Sequence, residues 1–286
     1  MYVYKSAVGC DIRLDLYLTS QPSAPLLVMI HGGGFVFGSR RDISKTKIEF
    51  FKSHGIHVAV IDYRLLPEST FIETLSDVED ALTWLHAHIK ETGLQVTRLF
   101  VMGFSAGGFL AYHVGNRINK PHGIISLYGY ADLSEPWCKL VSSYYLSKTR
   151  VDNATVSSLI GKTPVSSPPP YRYLYYLFLR QNGLWMQTIT RSAQVDEKNL
   201  KLLSPMSQMT PSFPQTLIIH GKRDHDVPFQ AALDVTSKLE SLNVPVKTIF
   251  LENEGHDFDL SFDNTTTLEV YARIVSFIKD PTNDKS

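Results

Sequence analysis

The stretch Gly103-Phe104-Ser105-Ala106-Gly107-Gly108 decides the fold of this chain of 286 residues. It reads G-x-S-x-G, follows the apolar run Arg98–Met102 and precedes the helical pattern Phe109–Val114. On a sharp turn between a strand and a helix, the Oγ of a serine is pushed out of the sheet, and small flanking residues let the two backbones approach. The start of the helix also presents free N–H groups and positive dipole character. The pattern predicts an exposed nucleophile at Ser105; the alternative is a plain glycine-rich loop.

A second glycine-rich motif lies closer to the N-terminus. His31-Gly32-Gly33-Gly34-Phe35 follows the apolar run Leu26–Ile30. Consecutive glycines leave the backbone free to turn its N–H groups toward a ligand. The tetrahedral intermediate of acyl transfer carries an oxyanion, and losing one donor to it costs about 3 kcal/mol. We therefore predict an oxyanion hole formed by the N–H groups of Gly33, Gly34 and Ala106, with an ordinary flexible loop as the alternative.

With these two motifs the chain resembles the α/β-hydrolase superfamily, and within it the hormone-sensitive-lipase-like esterases of the α/β-hydrolase-3 type. The resemblance extends over Leu14–Ile278. Asp62–Glu68 is similar to the family's D-Y-R-L-A-P-E segment, and Phe71–Trp84 resembles its F-P-x-x-x-x-D-x-x-x-A-x-x-W helix. Phe104 stands where the lipase-like branch often has Asp, so G-F-S-A-G-G looks more like the small acetyl- and feruloyl-esterase-like relatives. We also expect the long N-terminal cap of the lipase-like branch to be missing.

The resemblance implies two further catalytic residues in the order Ser, acid, His along the chain. After the apolar run Leu217–His220, the sequence matches the family's G-x-x-D-x-x-V-P, and this register places the acid at Asp224. Asp226 is the competitor, with loop hydrogen bonding or helix capping as its alternative role. Gly255-His256 follows another strand pattern, and His256 is where the family has its base. An imidazole base predicts that kcat/KM rises with pH through one ionisation near neutrality.

The remaining histidines suggest no metal site. His86 and His88 lie two apart on one predicted helix and do not face each other. His31 is expected to anchor its own loop, and nothing in the sequence demands a substrate contact from His225. The others have no supporting spacing: His54, His57, His113, His122 and His220. We therefore expect neither a metal nor a cofactor.

Composition excludes several classes of partner. Lys and Arg number 28 and Asp and Glu also 28, so the formal net charge is zero, and no basic stripe indicates nucleic acid or an anionic membrane. Hydrophobic residues make up 43% of the chain, enough for a sizeable core. Cys10 and Cys138 have neither metal-ligand nor redox spacing. The absence of a signal-peptide core or a membrane-length apolar run favours a cytoplasmic location.

Alternating strand and helix patterns predict an α/β fold with a central, mostly parallel sheet flanked by helices. An antiparallel hairpin is predicted at Tyr2–Val8 and Ile12–Leu18. Buried strands are predicted at Leu26–Ile30, His57–Asp62, Leu99–Gly103, Gly123–Tyr128, Thr216–His220 and Lys247–Leu251. The clearest helices are predicted at Ile72–Ile89, Gly108–Arg117, Phe229–Leu242 and Thr267–Ile278. We interpret residues 1–286 as one α/β-hydrolase domain.

One region interrupts the alternation. Residues 132–213 contain no strand at the regular spacing and are rich in Ser, Pro and aromatic residues. A structureless loop of that length inside a compact domain would be unusual, so we predict a helical insertion that acts as a lid over Ser105. The alternative is a peripheral packing layer or a homodimer surface. The aromatic residues that we expect to shape the pocket are Tyr144, Tyr145, Tyr171, Tyr173, Tyr175, Tyr176, Phe178 and Trp185.

Together these features predict a serine hydrolase that cleaves a carboxylic ester or lactone of a small to medium, partly apolar molecule through an acyl-enzyme. The same residues would also serve an arylformamidase, a thioesterase or an acyltransferase. A third alternative, from a different class, is a non-catalytic ligand receptor on a hydrolase fold. That alternative is disfavoured because Ser105, Asp224 and His256 are all present.

Overall fold

A central sheet organises the computed structural model, which describes residues 1–194 and 196–280. Within these residues, eight strands form one sheet in the order β1-β2-β4-β3-β5-β6-β7-β8. The pairs β1–β2 and β2–β4 are antiparallel and the other neighbours are parallel, which confirms the predicted architecture. The strands are β1 (Tyr2–Ala7), β2 (Cys10–Tyr17), β3 (Ser23–Ile30), β4 (His57–Ile61), β5 (Gln95–Phe104), β6 (Gly123–Leu127), β7 (Gln215–Gly221) and β8 (Val246–Leu251).

Helices cover both faces of the sheet, because alternate residues of the central strands point in opposite directions. Val28 and Ile30 of β3 join a buried cluster with residues of α2, α3 and α11, whereas Leu27 and Met29 join a second cluster with residues of α1 and α12. The helices of these layers are α1 (Lys45–Ser53), α2 (Phe71–Thr92), α3 (Ala106–Val114), α11 (Phe229–Ser241) and α12 (Thr265–Lys279).

All four of the predicted helices differ at one or both ends from what the patterns indicated, and α2 and α3 differ most. Helix α2 is longer than predicted, because Thr70 and Glu73 form a capping box before it and Gly93 ends it at a φ of 67°. Helix α3 begins at Ala106 rather than Gly108 and ends at Val114 rather than Arg117. Its early start follows from the serine turn, which joins β5 to the helix with a single residue between them.

The chain between β6 and β7 contains seven short helices and no strand among its described residues, as the aperiodic composition predicted. Tyr176, Leu177 and Trp185 of this insertion belong to the same buried cluster as Phe35 and Phe109 of the sheet layers. The insertion therefore packs onto the core of the domain. Its helices are α4 (Pro136–Lys139), α5 (Ser143–Leu146), α6 (Asn153–Leu159), α7 (Tyr173–Asn182), α8 (Trp185–Thr190), α9 (Glu197–Leu203) and α10 (Pro205–Gln208).

Close backbone contact explains two of the glycines around the serine turn. A Cβ at Gly103 would lie 1.9 Å from the carbonyl oxygen of Gly107, and a Cβ at Gly107 would lie 2.2 Å from that of Ile30. Backbone atoms cannot move aside as the end of a flexible side chain can. The end of β5 and the first turn of α3 therefore require glycine at both positions.

We expect Gly103→Ala to lower the free energy of unfolding by about 3 kcal/mol, because the added methyl group forces the backbone of α3 away from β5. Urea denaturation followed by circular dichroism measures this loss. Gly161→Ala is the matched control, since the nearest atom to its Cβ would be 3.8 Å away. Equal stability of the two variants would contradict the crowding described here.

Candidate active site

Ser105 occupies a strained turn at the end of β5. Its φ of 52° and ψ of −116° are rare for a residue with a side chain. The surrounding backbone holds this conformation: the Ser105 N–H donates to Leu127 O at 2.9 Å, and Ser105 O accepts from the Gly108 N–H at 2.8 Å. The side chain is partly exposed and lines a cavity of about 250 Å³. Ser105 therefore has the exposed position that the sequence predicted.

The glycine loop after β3 lines the same cavity. Gly33 and Gly34 have φ angles of 104° and 56°, and Gly33 O accepts two N–H groups from the following turn. Within the described part of the chain, the N–H groups of Gly33, Gly34 and Ala106 donate no hydrogen bond, so they remain free for a ligand. His31 anchors this loop as expected: its Nδ1 lies 2.8 Å from Gly32 O and its ring stacks on Tyr63. Burial lowers the pKa of His31 to about 4, so this side chain is neutral at pH 7.

Side chains of the insertion hold the glycine loop from outside. The indole N–H of Trp185 donates to Gly34 O at 3.0 Å, and the guanidinium of Arg172 donates to Val36 O at 2.7 Å. The ring of Tyr176 lies so close to Gly34 that a Cβ there would come within 2.3 Å of it. The insertion is thus in direct contact with the backbone that presents the free N–H groups.

Asp224 and His256, the predicted acid and base, are in contact. The Nδ1–H of His256 donates to Asp224 Oδ2 at 2.7 Å, and Asp224 Oδ1 accepts the backbone N–H groups of Asp226 and Val227 at 2.8 and 2.9 Å. Ser105 and His256 line the same cavity, but no hydrogen bond joins Ser105 Oγ to the imidazole within the described residues. The structure thus brings the predicted acid and base into contact, and the predicted nucleophile into their cavity.

Asp226 does not cap helix α11, so the capping role suggested from sequence is wrong, whereas the other suggested role was hydrogen bonding. The residue before α11 is Pro228, and no side chain caps the helix. The carboxylate of Asp226 instead accepts a hydrogen bond from the Tyr176 hydroxyl at 3.0 Å, and its Oδ2 lies 3.8 Å from His256 Nε2. Asp226 therefore lines the cavity on the opposite side of the imidazole from Asp224.

The carboxylates around His256 change its titration. Burial by itself would lower the pKa of His256, but the hydrogen bond to Asp224 and the charges of Asp224, Asp226 and Asp257 outweigh this and raise it to about 9. Burial by itself would raise the pKa of Asp224, but hydrogen bonds with His220 and His256 hold it well below its ordinary value. The ionisation of His256, which the sequence analysis expected near neutrality, is therefore expected at alkaline pH.

Sequence reasoning missed several residues that support the site. His220 was assigned no role, yet it is fully buried and its Nε2 lies 3.2 Å from Asp224 Oδ2. Asp259 anchors the loop that carries His256, because its carboxylate accepts hydrogen bonds from Lys47, Tyr128 and Tyr271 at 2.7, 2.8 and 2.6 Å. In the sequence, the acidic residues Asp257 and Asp259 that follow His256 were the signal that could have indicated such a supporting role.

The aromatic residues of the insertion divide into different groups. Tyr145, Tyr173 and Tyr176 line the cavity with Ser105. Tyr175 and Phe178 line a separate groove, and Tyr171 is 61% exposed. Tyr144 stacks on His225, and Trp185 lies buried against Tyr176. The expectation that all eight shape the pocket is therefore wrong for those that point elsewhere.

In residues 1–194 and 196–280, no three or more His, Cys, Asp or Glu side chains are grouped in a way that could hold a metal ion. Across the same residues, no helix combines the length and the apolarity needed to cross a membrane.

Known proteins resemble this chain in sequence and in fold. A family model described as BD-FAE matches residues 14–239. The non-reducing polyketide synthase Preu6 of Preussia isomera is 28% identical over 297 residues, which cover 90% of this chain and 14% of the synthase. Esterase LipC of Mycobacterium tuberculosis is 28% identical over 241 residues, which cover 83% of this chain and 54% of LipC. The chain thus spans only part of the length of these relatives.

A solved structure shows the same fold. An alpha/beta hydrolase superfamily protein from Enterococcus faecalis matches with a TM-score of 0.76 at 22% identity, over 94% of this chain and 95% of that one. The sheet order and the strand–serine–helix turn are thus those of the α/β-hydrolase fold. Because the BD-FAE model matches residues 14–239, most of the chain, the chain belongs to the BD-FAE family.

We expect the imidazole of His256 to titrate with a midpoint near pH 9, well above its ordinary value of 6.5, because three carboxylates stabilise the imidazolium. The ring signals of His256 in a two-dimensional ¹H–¹⁵N NMR spectrum measure this midpoint directly. A midpoint at or below pH 7 would contradict the described charge arrangement.

Proposed function

We propose that this protein is a serine hydrolase of carboxylic esters, with Ser105 as nucleophile, His256 as base and Asp224 as the orienting acid. The observation that carries the proposal is the shared cavity, which is lined by a serine on a strained turn, by Gly33 and Gly34 with free backbone N–H groups, and by an imidazole bonded to a buried carboxylate. Each of these parts has a separate role in acyl transfer. The match to Esterase LipC supports the same chemistry.

The first half of the reaction forms an acyl-enzyme. His256 Nε2 accepts the proton of Ser105 as Oγ attacks the carbonyl carbon, and Asp224 stabilises the resulting imidazolium through Nδ1. The imidazolium then gives that proton to the departing alcohol oxygen. Since Asp224 already accepts two backbone N–H groups, its carboxylate is fixed in the orientation that His256 needs.

The oxyanion is stabilised by the backbone. The N–H groups of Gly33, Gly34 and Ala106 have no partner in the described chain, so they can donate to the tetrahedral intermediate without first breaking another bond. In the second half of the reaction, His256 takes a proton from water, the water oxygen attacks the acyl carbon, and Ser105 leaves with the proton.

The cavity favours a compact ester or lactone with an apolar or aromatic part. A volume of about 250 Å³ is smaller than that of most ligand pockets, which makes a long-chain triglyceride a poor fit. Phe37, Tyr145, Tyr173 and Tyr176 supply aromatic surface on the side of the insertion. We therefore propose that the insertion contributes to substrate choice as a wall of the pocket.

A second candidate is acyl transfer from a thioester, on the same serine. It is favoured by the similarity of nearly the whole chain to a segment of proteins named as non-reducing polyketide synthases. Parallel assays with p-nitrophenyl esters, a lactone, an N-formyl arylamine and an acyl thioester rank the candidates by kcat/KM. A non-catalytic receptor would react with none of them, nor with a fluorophosphonate probe.

We expect Ser105→Ala to lower esterase kcat by several orders of magnitude, because the members of such a triad act as a unit. Stability should change by less than about 1 kcal/mol, since the side chain is partly exposed and its truncation opens no buried cavity. Hydrolysis of p-nitrophenyl acetate and urea denaturation measure the two effects. The assignment fails if the variant keeps more than about a tenth of wild-type kcat.

We expect Tyr173→Ala to lower the ratio of kcat/KM for p-nitrophenyl benzoate to that for p-nitrophenyl acetate by about fivefold, as for the loss of an aromatic contact of about 1 kcal/mol. Tyr171→Ala is the matched control, because Tyr171 is 61% exposed, lies two positions earlier in the chain and does not line the cavity. An unchanged ratio in Tyr173→Ala would show that this wall does not select the substrate.

A further inference from the structure

Two carboxylates flank the ring of His256, one at each nitrogen. Asp224 Oδ2 lies 2.7 Å from Nδ1, whereas Asp226 Oδ2 lies 3.8 Å from Nε2. In the proposed reaction, Nε2 is the atom that accepts the Ser105 proton, so a carboxylate there competes with the serine for this nitrogen. We propose that Asp226 is a positioning residue that attracts the Nε2–H of protonated His256 and thereby extends the inactive, protonated state of the enzyme to higher pH; this inference rests on the proposed function.

Side chains of helix α7 fix Asp226 beside the imidazole. The Tyr176 hydroxyl donates to the carboxylate at 3.0 Å from Oδ1 and 3.2 Å from Oδ2. The guanidinium of Arg180 lies 3.8 Å from Oδ1 and donates to the backbone carbonyl of Asp226 at 3.5 Å. All three side chains are buried. These contacts keep the carboxylate in place while using part of its capacity to accept hydrogen bonds.

The other charged groups near Asp224 and Asp226 do not contact Nε2 of His256. Among the described residues, the carboxylate within 4.0 Å of Nε2 is that of Asp226. Asp224 faces Nδ1, and His220 of β7 lies behind Asp224. Asp257 is the next residue in the chain and also lines the cavity, so its charge adds to the field around the ring.

The aromatic neighbour of the imidazole, Tyr128, already has a hydrogen-bond partner of its own. Tyr128, at the end of β6, packs on the ring with 4.6 Å between centroids, and its hydroxyl donates to Asp259. Asp259 also forms a buried ion pair with Lys47 of α1 at 2.7 Å. Asp226 is therefore the group that can act on Nε2 directly.

As a consequence, the protonation of His256 separates an inactive state of the enzyme from an active one. When both ring nitrogens carry a proton, Nδ1–H donates to Asp224, Nε2–H is drawn toward Asp226, and Ser105 has no base. When the Nε2 proton leaves to solvent, the attraction to Asp226 ends and the Nε2 lone pair becomes available to the Ser105 hydroxyl. The activity is therefore confined to the pH range above the His256 midpoint.

Two substitutions should move this midpoint in opposite directions. Asp226→Asn removes the negative charge beside Nε2, so the imidazolium loses a partner and the midpoint should fall by about 1 pH unit, as is typical for one opposite charge at this distance. Tyr176→Phe removes a donor to Asp226 but keeps the ring against Gly34, so more of the carboxylate charge is directed at Nε2 and the midpoint should rise. A purely structural role for either residue would not produce opposite shifts.

The experiment compares kcat/KM for p-nitrophenyl acetate against pH in the wild type, D226N, Y176F and E240Q. Glu240 is exposed on α11, so E240Q makes the same change in net charge far from the cavity. A fall for D226N and a rise for Y176F, with E240Q matching the wild type, support the proposal. Equal midpoints for D226N and E240Q, or shifts of D226N and Y176F in the same direction, overturn it.

An NMR titration of the His256 ring separates this proposal from the proposed function. Recorded in the Ser105→Ala background, with and without D226N, it needs no catalytic activity. A lower midpoint in the double variant supports the role of Asp226 even if Ser105 proves not to be a nucleophile, and an unchanged midpoint overturns that role even in an active enzyme. If D226N does not fold by circular dichroism, the same titration of Y176F decides by its sign.

Discussion

The site depends on one backbone contact, the crossing of the first turn of α3 over the ends of β3 and β5. Ile30 is paired with Gly103 in the sheet, so both strands end at the same level. The carbonyl oxygens of Ile30 and His31 would lie 2.2 and 2.6 Å from a Cβ at Gly107, which leaves no room for any side chain. Because the glycine loop leaves the sheet at Ile30 and Ser105 follows the end of β5 at Phe104, this contact brings the glycine loop close to Ser105, and a Cβ at Gly32 would lie 3.3 Å from the Cβ of Ser105.

The insertion forms part of this arrangement through its contacts with the glycine loop. Arg172 and Trp185 each donate to a carbonyl oxygen of that loop, and Tyr176 reaches from Gly34 to Asp226. Several buried hydrogen bonds of this kind are typical of a rigid wall, since opening them would leave polar groups unpaired.

Most of the fold and the core of the site could be predicted from local patterns, for reasons visible in single elements. Strands β4, β6 and β7 were predicted closely because they are buried on both faces and read as continuous apolar runs. The starts of β3 and β5 were missed, since Ser23 and Gln95 are exposed and carry no such signal. The position of Asp224 depended on a family motif rather than on periodicity.

What could not be predicted came from contacts between distant parts of the chain. Tyr176 and Asp226 are 50 positions apart, and Lys47 and Asp259 are 212 apart. No local pattern reports such pairs, because burial and partner choice are decided by tertiary packing. The alkaline shift of the His256 pKa has the same origin, since it requires carboxylates from two loops to gather around one ring.

The double contact of Tyr176 also bears on how this cavity can diversify during evolution. A mutation at Tyr176 that reshapes the pocket simultaneously disturbs the loop at Gly34 and the carboxylate at Asp226, so gains in substrate range there come with altered turnover. Leu260 also lines the cavity but is 81% exposed, so a substitution there can reshape the pocket without disturbing the glycine loop or Asp226. Substitutions that change substrate range should therefore be accepted first at Leu260, whereas Tyr176 should change slowly during evolution.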